Sequence, residues 1–190
     1  MTKVGILVGS LSKNSMNRQL ATALTRLAPE GLEFVDIDYS ALPAYNHDHD
    51  GNYPAEAQAL KAAIEDVDAL LFVTPEYNRS IPGALKNAID WASRPWGTNS
   101  FDGKPAAVIG TSPGGPATAM AQQHLRNVLS FLNVTVMGQP EGYIQWVEGV
   151  ITPDGEVTDD STADFLRDFM AAFAAHVAKL RAGELAATRA

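Results

Sequence analysis

Two periodicities trade places along the 190 residues of this chain, and that exchange restricts the fold more than any other feature. Val4-Gly5-Ile6-Leu7-Val8, Phe34-Val35-Asp36-Ile37, Ala69-Leu70-Leu71-Phe72-Val73, Ala106-Ala107-Val108-Ile109 and Val134-Thr135-Val136 are short apolar runs. Runs of this kind fit strands covered on both faces rather than strands alternating between core and water. Tyr143-Ile144 adds a further extended piece. Between the runs, apolar residues recur at helical spacing. The stripes are Leu20, Leu24, Leu27; Ala57, Leu60, Ile64, Val67; Leu85, Ala88, Ile89, Ala92; Ala121, Leu125, Val128, Leu129, Leu132; and Phe165, Phe169, Phe173, Val177, Leu180. Each predicts an amphipathic helix. Pro54 and Pro82 precede the second and third stripes and suit a first helical turn.

Strands alternating with helices imply right-handed βαβ crossovers and a parallel sheet with helices on both faces. Five strands and five helices favour a doubly wound, flavodoxin-like α/β sheet of order 2-1-3-4-5 over a six-stranded alternative. Residues 1–190 read as one domain, with no internal repeat or linker. A turn at Pro153-Asp154-Gly155 separates two short extended pieces before the last helix, and the residues after Gly183 are expected to fray.

Composition removes several classes of function. Cysteine is absent, which excludes disulfides, thiol nucleophiles and Cys-ligated metals. With 14 Lys plus Arg against 22 Asp plus Glu, the net charge is −8 and no basic cluster offers itself to nucleic acid. The longest apolar runs fall far short of the roughly 20 residues a bilayer requires. A cytoplasmic protein with no membrane or nucleic-acid partner is expected.

In an open α/β sheet the ligand lies beyond the carboxyl ends of the strands, where strand order reverses. For order 2-1-3-4-5 that place is between strands 1 and 3. The loop after strand 1, Gly9-Ser10-Leu11-Ser12-Lys13-Asn14-Ser15-Met16-Asn17, is rich in hydroxyls and amides and runs straight into a helix. It can receive a phosphate on orphan N–H donors, or Ser15 or Asn17 can simply cap the helix. There is no G-x-G-x-x-G fingerprint after the strand and no P-loop anywhere. A phosphate-receiver domain is disfavoured because strand 3 ends in Thr74-Pro75, not aspartate. The loop after strand 3 sets Glu76-Tyr77-Asn78-Arg79-Ser80-Ile81 between Pro75 and Pro82, a stiff octet longer than the usual βα turn. After strand 4, Gly110-Thr111-Ser112-Pro113-Gly114-Gly115-Pro116 reads either as a plain turn or as main chain brought close to a ligand.

Gly9-Ser10-Leu11 with Ser15 and Asn17, followed by Thr74-Pro75-Glu76-Tyr77-Asn78 and by Pro82-Gly83-Ala84-Leu85-Lys86-Asn87-Ala88-Ile89-Asp90-Trp91, resembles the NADPH-dependent FMN reductase family, which includes quinone and chromate reductases. The likeness spans about residues 3–145. It implies a flavodoxin-like homodimer or homotetramer that holds FMN non-covalently, takes hydride from NADPH or NADH, and reduces a quinone, free flavin, chromate or another small acceptor in a ping-pong cycle. Transferred residue by residue, the resemblance places Ser10, Ser12, Ser15, Met16 and Asn17 around the FMN phosphate. Pro75, Glu76, Tyr77 and Asn78 then flank the ring, while Ser112, Pro113, Gly114 and Gly115 close its pyrimidine side. No side chain is required as a catalyst, because the flavin carries the chemistry.

Two departures stand out. Many relatives have Arg where this chain has Ser12, which predicts weaker FMN retention, with Lys13 or Arg18 as substitutes. Many also carry an aromatic where Arg79 stands, and Arg79 is expected to pair with a phosphate of NAD(P)H. His124, Arg126 and Glu141 read either as surface groups or, by resemblance, as an intersubunit polar network. His47-Asp48-His49-Asp50 reads as a solvated loop rather than a metal site, and His176 as an ordinary helix residue. Two other classes compete: an electron carrier without a substrate of its own, and a nucleotide-binding scaffold without flavin.

Overall fold

The computed structural model describes residues 1–187, with side chains through Gly183. The strands are β1 (Thr2–Val8), β2 (Leu32–Asp36), β3 (Ala69–Val73), β4 (Pro105–Ser112), β5 (Thr135–Val136) and β6 (Gly142–Gln145). The α-helices are α1 (Met16–Leu27), α2 (Ala55–Glu65), α3 (Gly83–Ala92), α4 (Ala119–Phe131) and α5 (Asp160–Ala187). The sheet is parallel, in the order β2-β1-β3-β4-β5, with β6 also on β4.

The predicted order holds, with one refinement at the far edge. β5 pairs with the start of β4 through Pro105 and Ala106, and β6 pairs with its end from Ile109 to Ser112. The extended piece at Tyr143-Ile144 is therefore the upper half of the fifth sheet position. At the other edge β2 is covered on both faces only in part. None of the β2 residues is fully buried, because β2 has a strand neighbour on one side only; Leu32 and Phe34 pack against one core, Val35 against the other, and the apolar Ile37 just beyond is buried. β3, flanked by β1 and β4, is buried at all five positions.

The two faces carry separate cores. α2, α3 and α4 pack Leu60, Ile64, Leu85, Trp91 and Leu125 against Leu7, Leu70, Phe72 and Val108. On the other face, α1 and α5 pack Leu20, Leu24, Phe169 and Phe173 against Val4, Ile6, Leu71 and Ile109. Alternate residues of each strand thus serve opposite faces, as the pleat requires. Pro54 and Pro82 sit one residue ahead of their helices, as caps. The turn at Pro153-Asp154-Gly155 lies between Ile151 and Val157, which form an antiparallel bridge, and Gly155 rests directly on α1 at Thr22 and Ala23. α5 runs through Gly183 to Ala187; residues 188–190 of the expected frayed tail lie outside the described residues. Among the described residues no helix is long and apolar enough to cross a membrane.

Candidate cofactor site

Strands β1, β3 and β4 are neighbours, so the three polar loops leave the same edge of the sheet side by side. The Gly9 amide donates to the Val73 carbonyl at 2.8 Å, and the Thr74 amide to the Ile109 carbonyl at 3.0 Å. Glycine is obligatory at two of these crossings. A β-carbon at Gly110 would lie 2.0 Å from the Thr74 carbonyl oxygen, and one at Gly9 would lie 2.8 Å from Thr74 Oγ1.

In the first loop Ser15 is the N-cap of α1, its hydroxyl accepting from the Arg18 amide at 3.2 Å. Ser10 Oγ accepts weakly from the Ser12 amide at 3.4 Å. The amides of Lys13, Asn14, Met16 and Asn17 have no partner among the described residues, so four N–H donors gather at the positive end of a helix. Such a cluster matches a phosphate monoester. Asn17 differs from expectation: its side chain is buried and exchanges two hydrogen bonds with Thr111, so only its main-chain amide faces the loop. Of the two substitute cations, Lys13 is exposed, and Arg18 forms an ion pair with Asp36 at the end of β2.

The second loop is a tight hairpin. Tyr77 and Ser80 exchange backbone hydrogen bonds of 2.9 and 3.0 Å, and Asn78 and Arg79 between them have φ of 52° and 64°, the left-handed pair of a type I′ turn. Two side chains fasten this hairpin to α4. Glu76 Oε2 accepts from the Ala121 amide at 3.0 Å, and Ser80 Oγ meets His124 Nδ1 at 2.7 Å. Pro75 is buried, while Tyr77, Asn78 and Arg79 are exposed, with Tyr77 half open to solvent. A fixed wall with an accessible aromatic edge suits a flat ring.

The third loop begins with Ser112, the last residue of β4, whose hydroxyl accepts from the Gly114 amide at 3.3 Å. Pro113, Gly114 and Gly115 are exposed, and the Gly115 amide has no partner among the described residues. β6 braces the loop: the Trp146 amide donates to the Ser112 carbonyl at 2.9 Å and Gln145 Nε2 to the Pro113 carbonyl at 3.3 Å.

Sequence reasoning missed Tyr39, Thr111 and Gln145 as supports of the site. The Tyr39 hydroxyl donates to the Val8 carbonyl at the root of the first loop, and burial pushes its pKa well above the ordinary phenol range. Its place after β2 was a possible signal, but nothing in its local sequence announces the contact. The other candidates lie apart. His47 and His49 belong to an exposed 3-10 turn, with His49 beside the Trp91 ring, and among the described residues no group of three or more potential metal ligands gathers. Arg126 donates to the Met137 carbonyl at 2.7 Å, leaving Nε and Nη2 buried without partners among the described residues. Gln123 joins Glu141 and Tyr143 beside it. His176 contacts the Thr135 carbonyl at 2.8 Å.

Residues 2–147 match the family model described as NADPH-dependent FMN reductase. A 2-hydroxy-1,4-benzoquinone reductase from a Burkholderia species is 50% identical over 175 residues, covering 92% of this chain and 96% of that one. An NAD(P)H-dependent FMN reductase from Pseudomonas aeruginosa is 40% identical over 174 residues, covering 91% and 94%. Among solved structures, the flavoenzyme NAD(P)H:(acceptor) oxidoreductase FerB from Paracoccus denitrificans superimposes with a TM-score of 0.90 at 49% identity, covering 94% of this chain and 98% of that one. With its sheet order, its three converging loops and these relatives, the chain belongs to the NADPH-dependent FMN reductase family.

Proposed function

We propose that this protein is an FMN-dependent NAD(P)H oxidoreductase that reduces quinones. The observation that carries the proposal is the row of amides at the start of α1 that have no partner among the described residues, set beside the rigid Pro75–Pro82 hairpin on one edge of the sheet. When bound, FMN supplies the redox chemistry, accepting hydride from the nicotinamide and passing it to a quinone or similar small acceptor. The amides of Lys13, Asn14, Met16 and Asn17, with the hydroxyls of Ser10, Ser12 and Ser15, hold the phosphate. Pro75, Glu76, Tyr77 and Asn78 form one wall for the ring, Ser112 and the exposed Pro113, Gly114 and Gly115 the other. Glu76 supports this wall from behind, because its carboxylate is bound to α4. Arg79, at the exposed tip of the hairpin, offers a guanidinium to a phosphate of the nicotinamide nucleotide.

A homodimer or homotetramer is part of the same reading. Beside Arg126, the solvent-accessible Gln123, Glu141 and Tyr143 offer polar groups to a second copy. Light scattering of the purified protein tests this, and a monomer at micromolar concentration refutes it. A cytoplasmic setting follows from the hydride donor, and the net charge of −8 argues against nucleic acid.

Stopped-flow absorbance tests the activity. The purified protein should be yellow, its band near 450 nm should bleach on mixing with NADPH, and a quinone should restore it. Failure to bleach within seconds returns the chain to the electron-carrier class. A colourless protein that cannot be loaded with FMN defeats the proposal entirely.

A further inference from the structure

We propose that Arg18 is the cation of the phosphate site, for which Asp36 and the FMN phosphate compete. The proposal rests on the reading that the loop Gly9–Asn17 receives that phosphate.

A phosphate monoester carries close to two negative charges at neutral pH. The loop answers it with neutral donors and with Lys13, an exposed side chain near the middle of the loop. Arg18 is the next cation along the chain and occupies the third position of α1, whose first turn contains no acid. A cation there opposes the helix dipole, so the placement becomes favourable only with an anion at the same end. The position also has the reach. A side chain three residues past the cap folds back over the first turn, as the Glu or Gln of a capping box does to meet the cap amide.

Arg18 pairs with Asp36 through side chains that are 47% and 63% exposed. Ion pairs so open to water contribute little. A guanidinium on a phosphate forms a stronger, forked contact, so the competition favours the cofactor. The surroundings place Arg18 at the correct edge. It is close enough to Asp38 and Tyr39 to favour negative charge on both, and Tyr39 is bonded to Val8 at the root of the loop. Asp36 thereby acts as a competitor of the phosphate and lowers affinity for FMN.

The test compares FMN with riboflavin, which lacks the phosphate, by fluorescence titration of the flavin-free full-length protein. Asp36→Asn should tighten FMN binding about threefold, the scale of an exposed ion pair. Arg18→Ala should weaken it about tenfold, the scale of a charge-assisted hydrogen bond. In the double variant the gain from Asp36→Asn should vanish, and riboflavin affinity should stay constant throughout. Both residues are exposed, so the variants should fold, which their far-UV circular dichroism and melting curves verify. If the wild type prefers FMN to riboflavin but Arg18→Ala keeps that preference, Arg18 is not the cation. If Asp36→Asn tightens FMN equally without Arg18, the competition is wrong. If the wild type binds riboflavin as tightly as FMN, the phosphate loop itself is misread.

Discussion

Asn17 and Thr111, 94 residues apart in sequence, exchange two hydrogen bonds: Asn17 Nδ2 donates to the Thr111 carbonyl at 2.9 Å, and the Thr111 amide donates to Asn17 Oδ1 at 3.0 Å. The side-chain amide here imitates the main chain of a strand partner and pins the start of α1 to β4. Both residues are buried, so truncating Asn17 strands a donor and an acceptor that water does not reach. Asn17→Leu should therefore destabilise the flavin-free protein by roughly 2 to 4 kcal/mol and also weaken FMN binding, because the first loop loses its anchor. Urea denaturation measures the first effect. A loss under about 0.5 kcal/mol, the range of an ordinary surface substitution, would show that the pair is dispensable.

Glu76 plays a comparable part for α4. The hydroxyl of the cap residue Thr118 accepts from the Gln122 side chain rather than from a main-chain amide of the first turn, and Glu76 Oε2 supplies the acceptor for the Ala121 amide from 45 residues away. Glu76→Ala should lower stability by about 1 kcal/mol, the usual value of a lost cap. Glu76→Gln keeps an oxygen acceptor and forfeits the charge beside the helix dipole, so its loss should be only a few tenths of a kcal/mol. Equal losses in the two variants, read from thermal melts, would mean that the carboxylate acts through something other than the helix end.

These two contacts mark the boundary of what the sequence makes legible. Strand order follows from apolar runs and helical stripes, because burial on two faces leaves a local composition signal that Ala69–Val73 displays fully. The three loops were legible for the same reason: once β1, β3 and β4 are ordered, Ser10, Pro75 and Ser112 must leave one edge together. What a side chain such as Asn17 or Glu76 touches depends on packing between distant segments, for which periodicity holds no record. The partial cover of β2 was hidden likewise, since Phe34 and Val35 look the same in an edge strand as in a central one. Arg79 in a left-handed conformation contradicts its own propensity, and only the closing hydrogen bonds of the hairpin explain it.

Acid should act on the last helix. Asp159 stands immediately before α5 and accepts from both the Thr162 hydroxyl and the Thr162 amide at 2.7 Å. The hydroxyl bond first, then the amide bond, lowers its pKa below the ordinary value of 3.8. A carboxyl lowered on folding stabilises the fold fully above its unfolded pKa, and that stabilisation is lost as pH falls through the folded value. Asp159→Ser retains a capping oxygen that does not titrate. Between about pH 5 and about pH 2 the melting temperature of the wild type should fall more steeply than that of Asp159→Ser. Parallel curves would remove Asp159 from the acid response.

Arg79 should show stability and binding changing in opposite directions. Its φ of 64° is a left-handed conformation that costs a residue with a β-carbon about 1 kcal/mol, and glycine adopts it freely. The side chain is exposed and has no hydrogen-bond or ion-pair partner among the described residues, so removing it sacrifices no polar contact there. Arg79→Gly should thus raise the stability of the flavin-free protein by up to about 1 kcal/mol. The same change should raise the KM for NADPH by up to about fivefold, the equivalent of a solvent-screened ion pair, with kcat nearly unchanged. Added salt should weaken NADPH binding to the wild type more than to the variant, because only the wild type has the guanidinium to screen. Steady-state kinetics at two ionic strengths, beside urea denaturation, separate the two effects. A variant that is more stable yet keeps the wild-type KM and salt dependence would leave Arg79 as a strained turn residue with no part in recognising the nicotinamide nucleotide.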